Sequence, residues 1–159
     1  DREIAALSET GSVAVFCPTS NLFIGSGLFD RERLMASNVR IAVATDVGGG
    51  TSYSMLRTLD EGYKVLQLRG QRMSPLESFF MMTLGNARAL SLEHTIGTLE
   101  PGADADIVVL DARALPHMTL KMEQAESLSE ELFLLQTCGD DRVIAETYVA
   151  GEAAKSGLS

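Results

Sequence analysis

The sequence predicts an α/β fold with a parallel sheet, followed by a separate small β unit. Two apolar runs, 13–17 and 39–44, have the length and composition of strands buried on both faces. A helical segment lies between them, and strand, helix, strand at this spacing is typical of a βαβ unit. The last third of the chain contains strand-like runs without such crossover helices, which predicts a second kind of sheet.

Helices are predicted before and between these two strands. Residues 1–10 have a helical pattern, and Gly11 is suited to end that helix. After a loop at 25–27, Asp30 can cap a short helix that continues to Ala36. The first half of the chain therefore alternates between helix and strand.

Two longer helices are predicted after the second strand. The first spans about 52–68 and carries its apolar residues on one face. The second begins with Ser74 as N-cap, Pro75 in the first turn and Glu77 as the acid of a capping box. Its apolar stripe continues to Ala87, so we expect one helix over this whole segment.

The segment after residue 95 differs in character from the first half. Strands are predicted at 106–111 and 142–149. One helix is expected at 127–137, where Ser127 and Glu130 form a capping pair. These elements predict a small β unit that packs beside the α/β part.

Charge and hydropathy exclude two classes of partner. The 159 residues include 13 Lys and Arg against 22 Asp and Glu, a net charge of −9. Since phosphate binding needs clustered cations, we expect no nucleic-acid partner. We also expect no membrane partner, because no apolar run approaches the roughly 20 residues of a membrane span.

The beginning of the chain and its cysteines predict a cytoplasmic piece of a longer protein. The first residues show no signal-peptide pattern and no initiator Met, so we expect the chain to begin inside a longer sequence. Cys17 and Cys138 lie far apart and outside any C-x-x-C motif. Two reduced thiols are therefore expected rather than a disulfide.

Asp46 is the strongest candidate for a chemical role. It follows the second predicted strand and runs directly into the glycines at 48–50. Residues at the ends of parallel barrel strands carry the chemistry of such folds, and a carboxylate there could ligate a metal and move a proton. The alternative is a turn aspartate whose carboxylate accepts bonds from the glycine amides. A single aspartate does not complete a metal site.

Other polar residues are weaker candidates. Residues 17–21 could position a substrate at the end of the first strand, or could serve only as a loop with a turn at its proline. His94 and His117 belong to no metal-binding motif, so we expect surface or loop positions for them. Asp140 and Arg142 predict a local salt bridge beside a helix end.

Several segments of the sequence carry family signatures. Residues 16–29, FCPTSNLFIGSGLF, and residues 44–50, ATDVGGG, are two of them. The first resembles the loop-and-helix signature of guanine deaminases in the amidohydrolase superfamily, and the second resembles the metal-aspartate segment of the same family. Residues 83–90 together with 96–106 resemble the carboxy-terminal signature of the whole superfamily. Residues 139–144 are similar to a late segment that separates guanine deaminases from their relatives.

The resemblance implies that the chain is the carboxy-terminal part of a metal-dependent (β/α)8 barrel of the TIM type with a small β-sandwich domain. Residues 1–95 would hold the last strands and helices of the barrel. Residues 96–159 would return into the β-sandwich domain, with one further helix at 127–137. The full-length enzyme would be a homodimer.

The resemblance also implies a reaction, the hydrolysis of guanine to xanthine and ammonia by a water that one zinc ion activates, with iron as the alternative metal. The family's H-x-H pair, two later histidines, general-acid glutamate and ring-binding arginine have no match in this chain. Asp46 alone carries over from the metal site, as ligand and as acceptor of the water's proton. Ser20 and Asn21 would support the substrate or the ligands, and the isolated chain would be inactive.

Two other interpretations stay open. The chain could belong to another deaminase or chlorohydrolase of the superfamily that acts on a purine or triazine ring. It could also be a non-catalytic remnant that serves as a folding or interface module. The sequence that precedes Asp1 would distinguish these interpretations, because an H-x-H motif and two further histidines there would indicate a metal enzyme.

Overall fold

A computed structural model describes residues 2–155, so the predictions for residue 1 and residues 156–159 lie outside it. In chain order, the elements are α1 (Arg2–Glu9), β1 (Val13–Phe16), α2 (Pro18–Phe23), α3 (Arg31–Ala36), β2 (Arg40–Val43), α4 (Met55–Leu68), α5 (Pro75–Phe80), a π-helical turn (Met81–Gly85), α6 (Asn86–Ala89), β3 (Ile107–Leu110), α7 (Pro116–Met122), α8 (Leu128–Cys138), a 3-10 turn (Asp141–Val143), β4 (Ile144–Val149) and β5 (Glu152–Ala153). The mixed helices and strands confirm the predicted α/β class.

The first sheet confirms the predicted parallel pair. Strands β1 and β2 run in the same direction, with Val13 opposite Arg40 and Phe16 opposite Val43. Helices α2 and α3 lie between them in the chain, which is the predicted crossover. Parallel strands place their carboxyl ends at the same edge of a sheet, so the segments after Phe16 and Val43 lie side by side.

Local capping signals account for most of the helix starts. The side chains of Asp30, Ser74 and Ser127 accept hydrogen bonds from main-chain amides in the first turns of α3, α5 and α8. The capping-box role predicted for Glu77 is wrong, because its carboxylate forms an ion pair with the buried Arg31 instead. An ion pair with a buried guanidinium outcompetes a local bond to an exposed main-chain amide.

The helix predicted from Ser74 to Ala87 is interrupted. After α5 the chain forms the π-helical turn, in which Thr83 has φ −121° and ψ −106°. The Thr83 hydroxyl donates to the Phe79 carbonyl at 2.7 Å. A π-helical turn adds a residue to the turn, so it rotates the face that α6 presents after it.

The second sheet confirms the predicted β unit in the last third of the chain. Strands β3, β4 and β5 form an antiparallel sheet in that order. Ile107 pairs with Tyr148, and a register shift lies between Val109 and Leu110. The division of the chain at residue 95 stays a prediction.

Helix α7 is an element that the sequence analysis missed. Pro116 occupies its first turn, and the buried Met118 and Met122 lie one turn apart on one face. The segment is short and lacks a polar N-cap, which is why no helix was expected there. Its methionines complete a hydrophobic core between the α/β part and the last third. The buried members of that core are Leu56, Leu115, Met118, Met122, Leu135 and Val143.

A separate hydrophobic core supports the first sheet. Its buried members are Phe16, Val43, Leu59, Val65, Leu66 and Met73. Phe16 and Val43 are the last residues of β1 and β2. The ends of β1 and β2 are therefore held in place by packing against this core. Among the described helices, none has both the length and the hydropathy needed to cross a membrane.

Candidate active site

Asp46 lies in a tight turn three residues after the end of β2. Its φ is +48°, in the left-handed region that most residues avoid but that aspartate tolerates better than most. The amide of Gly50 donates to the Asp46 carbonyl oxygen at 2.5 Å and closes the turn. A strained residue held by main-chain bonds is typical of a functional position.

The carboxylate of Asp46 is oriented by Ser20. The Ser20 hydroxyl donates to Asp46 Oδ2 at 2.6 Å, and Ser20 is only 2% exposed. The glycine amide bond goes to the main-chain carbonyl of Asp46, which differs from the turn-aspartate alternative. A carboxylate offers about four acceptor positions and Ser20 uses one of them. The structure thus favours a carboxylate that Ser20 holds in one orientation and that can still bind a metal or accept another hydrogen bond.

Two glycines allow this close arrangement. A Cβ atom on Gly49 would lie 2.8 Å from Ser20 Oγ and 3.0 Å from Asp46 Oδ2. A Cβ atom on Gly50 would lie 2.0 Å from the Thr45 carbonyl oxygen. These two glycines therefore let the backbone pack against Asp46 and Ser20.

The segment expected to be a loop after β1 is a helix. Pro18 begins α2, and Ser20 lies within it, where the helix directs the hydroxyl towards Asp46. Asn21 takes part in main-chain bonds, since its amide donates to Cys17 and its carbonyl accepts from Ser26, both at 2.9 Å. The sequence signal for this helix was a proline at its first position. The supporting roles of Ser20 and Asn21 stay predictions.

Cys17 reports on the charge of Asp46. Burial raises the pKa of the Cys17 thiol, and the negative charge of Asp46 raises that pKa further. A bond with the Ala44 backbone acts in the opposite direction. The thiol is therefore kept protonated to a higher pH than an isolated cysteine.

Removal of the Asp46 charge is expected to lower the pH at which Cys17 becomes reactive. Asp46→Asn deletes one of the two effects that raise the pKa of Cys17, so thiolate forms at lower pH. The measurement is the rate of iodoacetamide labelling of Cys17 against pH, with peptide-resolved mass spectrometry. Asp140→Asn is the matched control and should leave the curve of Cys17 in place. Coincident curves for the parent and Asp46→Asn would contradict an ionised carboxylate beside Cys17.

Neither histidine contributes to a metal site within the described chain. His94 lies exposed in the segment after α6, and His117 lies exposed in the first turn of α7, as expected. Across residues 2–155, no group of three or more His, Cys, Asp or Glu side chains could hold a metal ion. Asp46 fits the role of one carboxylate ligand, whereas a catalytic zinc needs about three protein ligands.

The predicted salt bridge near the end of α8 is confirmed. Arg142 Nη2 lies 2.5 Å from Asp140 Oδ2, and Arg142 Nε donates to both carboxylate oxygens at 3.0 and 3.1 Å. These bonds from Arg142 lower the pKa of Asp140 to about 2. The pair is exposed, so its role is local and structural.

Asn86 is a polar contact at the strand end that the sequence analysis missed. Its amide nitrogen donates to the Val43 carbonyl at 2.8 Å, and its amide oxygen accepts from the Val43 amide at 2.8 Å. Its position within a helix is a weak signal, since asparagine favours caps and turns over helix interiors. The strand partner, 43 residues away, could not be derived from that signal.

The chain belongs to the amidohydrolase family, which it matches over residues 1–154. Guanine deaminase of Escherichia coli is 47% identical over 151 residues, which cover 95% of this chain and 34% of that protein. Its solved structure superposes with a TM-score of 0.94 at 46% identity, covering 97% of this chain and 36% of that one. These comparisons confirm the resemblance found in the sequence.

Two further solved structures extend the likeness. A guanine deaminase from C. acetobutylicum with guanine bound in its active site has a TM-score of 0.80 and 26% identity, covering 96% of this chain and 36% of that one. An adenosine deaminase from Xanthomonas campestris with bound zinc has a TM-score of 0.79 at 24% identity, covering 96% of this chain and 34% of that one, and shows the fold alone. The chain spans about a third of the length of the curated relatives it matches.

Proposed function

We propose that this chain forms the carboxy-terminal part of a guanine deaminase, in which Asp46 is a metal ligand and the acceptor of the proton from the attacking water. The observation that carries this proposal is the Asp46 carboxylate, held by Ser20 at the carboxyl end of a parallel strand. The strand end is the edge where barrel enzymes place their chemistry. The likeness to Escherichia coli guanine deaminase indicates guanine as the substrate. Hydrolysis of the amino group of guanine would give xanthine and ammonia.

The finer architecture belongs to the same proposal. The two-stranded parallel sheet of β1 and β2 would form the last strands of a (β/α)8 barrel, with residues 1–95 in that barrel. The antiparallel sheet of β3, β4 and β5 would belong to a small β-sandwich domain within 96–159. A sheet of two parallel strands is unusual by itself, because parallel sheets are normally covered on both faces and wider. A cytoplasmic homodimer of the full-length enzyme completes the proposal.

The residues of this chain would take the proton of the attacking water and hold the carboxylate that accepts it. A zinc ion, when bound, supplies a water of lowered pKa, and iron is the alternative. Asp46 would donate one carboxylate oxygen to the metal and hold the transferred proton. The Ser20 hydroxyl would keep the carboxylate in one rotamer, and Gly49 would let both side chains pack against the main chain. Asn21 would support the substrate or the ligands beside Ser20.

The proposal is tested with a chimeric enzyme. Residues 1–154 replace the matching last third of Escherichia coli guanine deaminase, so that the first two thirds of that protein supply the remaining ligands. We expect the chimera to release ammonia from guanine, because the superposition at TM-score 0.94 implies a compatible backbone. The chain alone, assayed with zinc, should be inactive because Asp46 is a single ligand.

The outcomes distinguish the interpretations left open by the sequence. A folded, zinc-loaded chimera without turnover of guanine would indicate a non-catalytic remnant. A chimera that prefers another purine or a triazine would indicate a different deaminase or chlorohydrolase. Turnover by the chain alone, of order 1 to 10³ per second, would contradict the role of residues outside it.

A further inference from the structure

Asn86 bonds to the main chain at the end of β2, on the edge that faces away from β1. The Ala44 amide faces β1, where it donates to the Phe16 carbonyl at 3.2 Å. Adjacent residues of a strand direct their main-chain groups to opposite edges, so the amide and carbonyl of Val43 face away from β1. Both groups bond to the Asn86 side chain at 2.8 Å. A side-chain amide has an acceptor oxygen and two N–H donors, one of which lies on the same side as the oxygen, so it can bond to the amide and the carbonyl of one residue together.

The two bonds matter because the strand end is buried. Val43 is 3% exposed, and buried main-chain groups that lose a partner are costly. The two bonds from Asn86 therefore stabilise the main chain at the end of β2. Asp46 follows three residues later, in the turn that begins at this strand end.

Helix α6 is itself fixed in place. Arg40, the first residue of β2, donates from Nη1 to the Ala89 carbonyl at 3.1 Å, which joins the far end of α6 to the beginning of the same strand. A Cβ atom on Gly97 would lie 2.8 Å from Ala87 Cβ, so the following loop packs directly against α6. The helix is thus held on one side by the strand and on another by the loop.

The π-helical turn gives α6 its orientation. Thr83 departs from helical geometry three residues before Asn86. In a continuous helix the face presented to β2 would be rotated, because a π-helical turn changes the number of residues per turn.

We infer that Asn86 is a positioning residue for Asp46, which fixes the end of β2 through the Val43 main chain and so sets the direction of the carboxylate. This inference rests on the proposed function for the chemistry of Asp46. The effect of Asn86 on the end of β2 rests only on the two 2.8 Å bonds with Val43. Among the described residues, the Asn86 side chain bonds to Val43 and not to the Asp46 carboxylate, so its effect passes through the strand.

The first experiment measures amide hydrogen exchange in the chimeric enzyme by nuclear magnetic resonance. Asn86→Leu keeps the side-chain shape and removes both bonds, so the amides of Val43 and Gly50 should exchange at least about tenfold faster. The Gly50 amide reports on the Asp46 turn because it donates to the Asp46 carbonyl. The amide of Asp111, which bonds to the Val143 carbonyl at 2.7 Å beside the other sheet, is the internal reference.

The matched control is a buried amide elsewhere in the fold. Gln136 is 1% exposed, and its side chain donates to the Leu59 carbonyl at 3.0 Å. Gln136→Met removes that bond without touching β2, and should leave the exchange of Val43 and Gly50 unchanged. Equal exchange in Asn86→Leu and Gln136→Met would overturn the inference.

The second experiment separates positioning from stability in the chimeric enzyme. Asn86→Leu should lower kcat for guanine by about 10- to 100-fold, the scale of a small misplacement of a catalytic group, with KM changed by less than about threefold. Gln136→Met should have a thermal midpoint similar to that of Asn86→Leu, but the kcat of the parent chimera. If Asn86→Leu does not fold, Asn86→Asp replaces it, because it keeps the acceptor for the Val43 amide and loses the donor. Parental kcat in whichever variant folds would overturn the inference.

Failure of the proposed function gives a different result. A parent chimera without guanine turnover would overturn that function, whatever Asn86 does. Faster exchange of Val43 and Gly50 in Asn86→Leu would still support the control of the Asp46 turn by Asn86, and unchanged exchange would refute it.

Discussion

In the chimeric enzyme, Asp46→Asn is expected to lower guanine turnover at least about 100-fold, the scale of losing general-base catalysis, while the fold persists. Asparagine has nearly the same shape and also tolerates the left-handed backbone that Asp46 adopts at φ +48°. Its amide oxygen can still accept the hydrogen bond from the Ser20 hydroxyl and can still bind a metal. It cannot take the proton of the water, so the loss should be in kcat.

The thermal midpoint and kcat, measured together, separate this role from a turn aspartate. The turn alternative predicts near-normal turnover and a modest loss of stability. Asp140→Asn is the matched control, because it removes a carboxylate that Arg142 already engages. That control should leave kcat at the parental value. Turnover of Asp46→Asn within a few fold of the parent would remove Asp46 from the mechanism.

The parts of the fold that depend on local signals could be predicted from the sequence. The two parallel strands are short apolar runs, and the caps at Asp30, Ser74 and Ser127 are governed by bonds within one turn. Helix α7 lacks a polar cap and was missed. The π-helical turn at Met81–Gly85 keeps an apolar stripe that periodicity cannot distinguish from an ordinary helix.

The candidate site was predictable only in part, because its contacts join distant segments. Asp46 stands out by its place between a strand and a glycine run. Its bond with Ser20 spans 26 residues and depends on α2, which was expected to be a loop. The bonds between Asn86 and Val43 span 43 residues and depend on the rotation of α6 by the π-helical turn. Such pairings follow from tertiary packing, which one sequence does not display.

Gly50→Ala is expected to lower guanine turnover of the chimeric enzyme at least about 100-fold, because it must displace the turn that holds Asp46. The new Cβ atom would lie 2.0 Å from the Thr45 carbonyl oxygen and 2.9 Å from Thr19 Oγ1. The nearest of these is a main-chain atom directly before Asp46, so relief requires movement of the backbone that carries the carboxylate. Gly70→Ala is the matched control, at φ +69° with no neighbour within 4 Å of the added atom. It should cost about 1 kcal/mol in stability from its left-handed backbone and keep the parental kcat.

The two variants are compared by kcat and by thermal midpoint. Parental kcat for Gly50→Ala would show that the turn can open without moving the carboxylate, and that close packing of this glycine is not needed for catalysis.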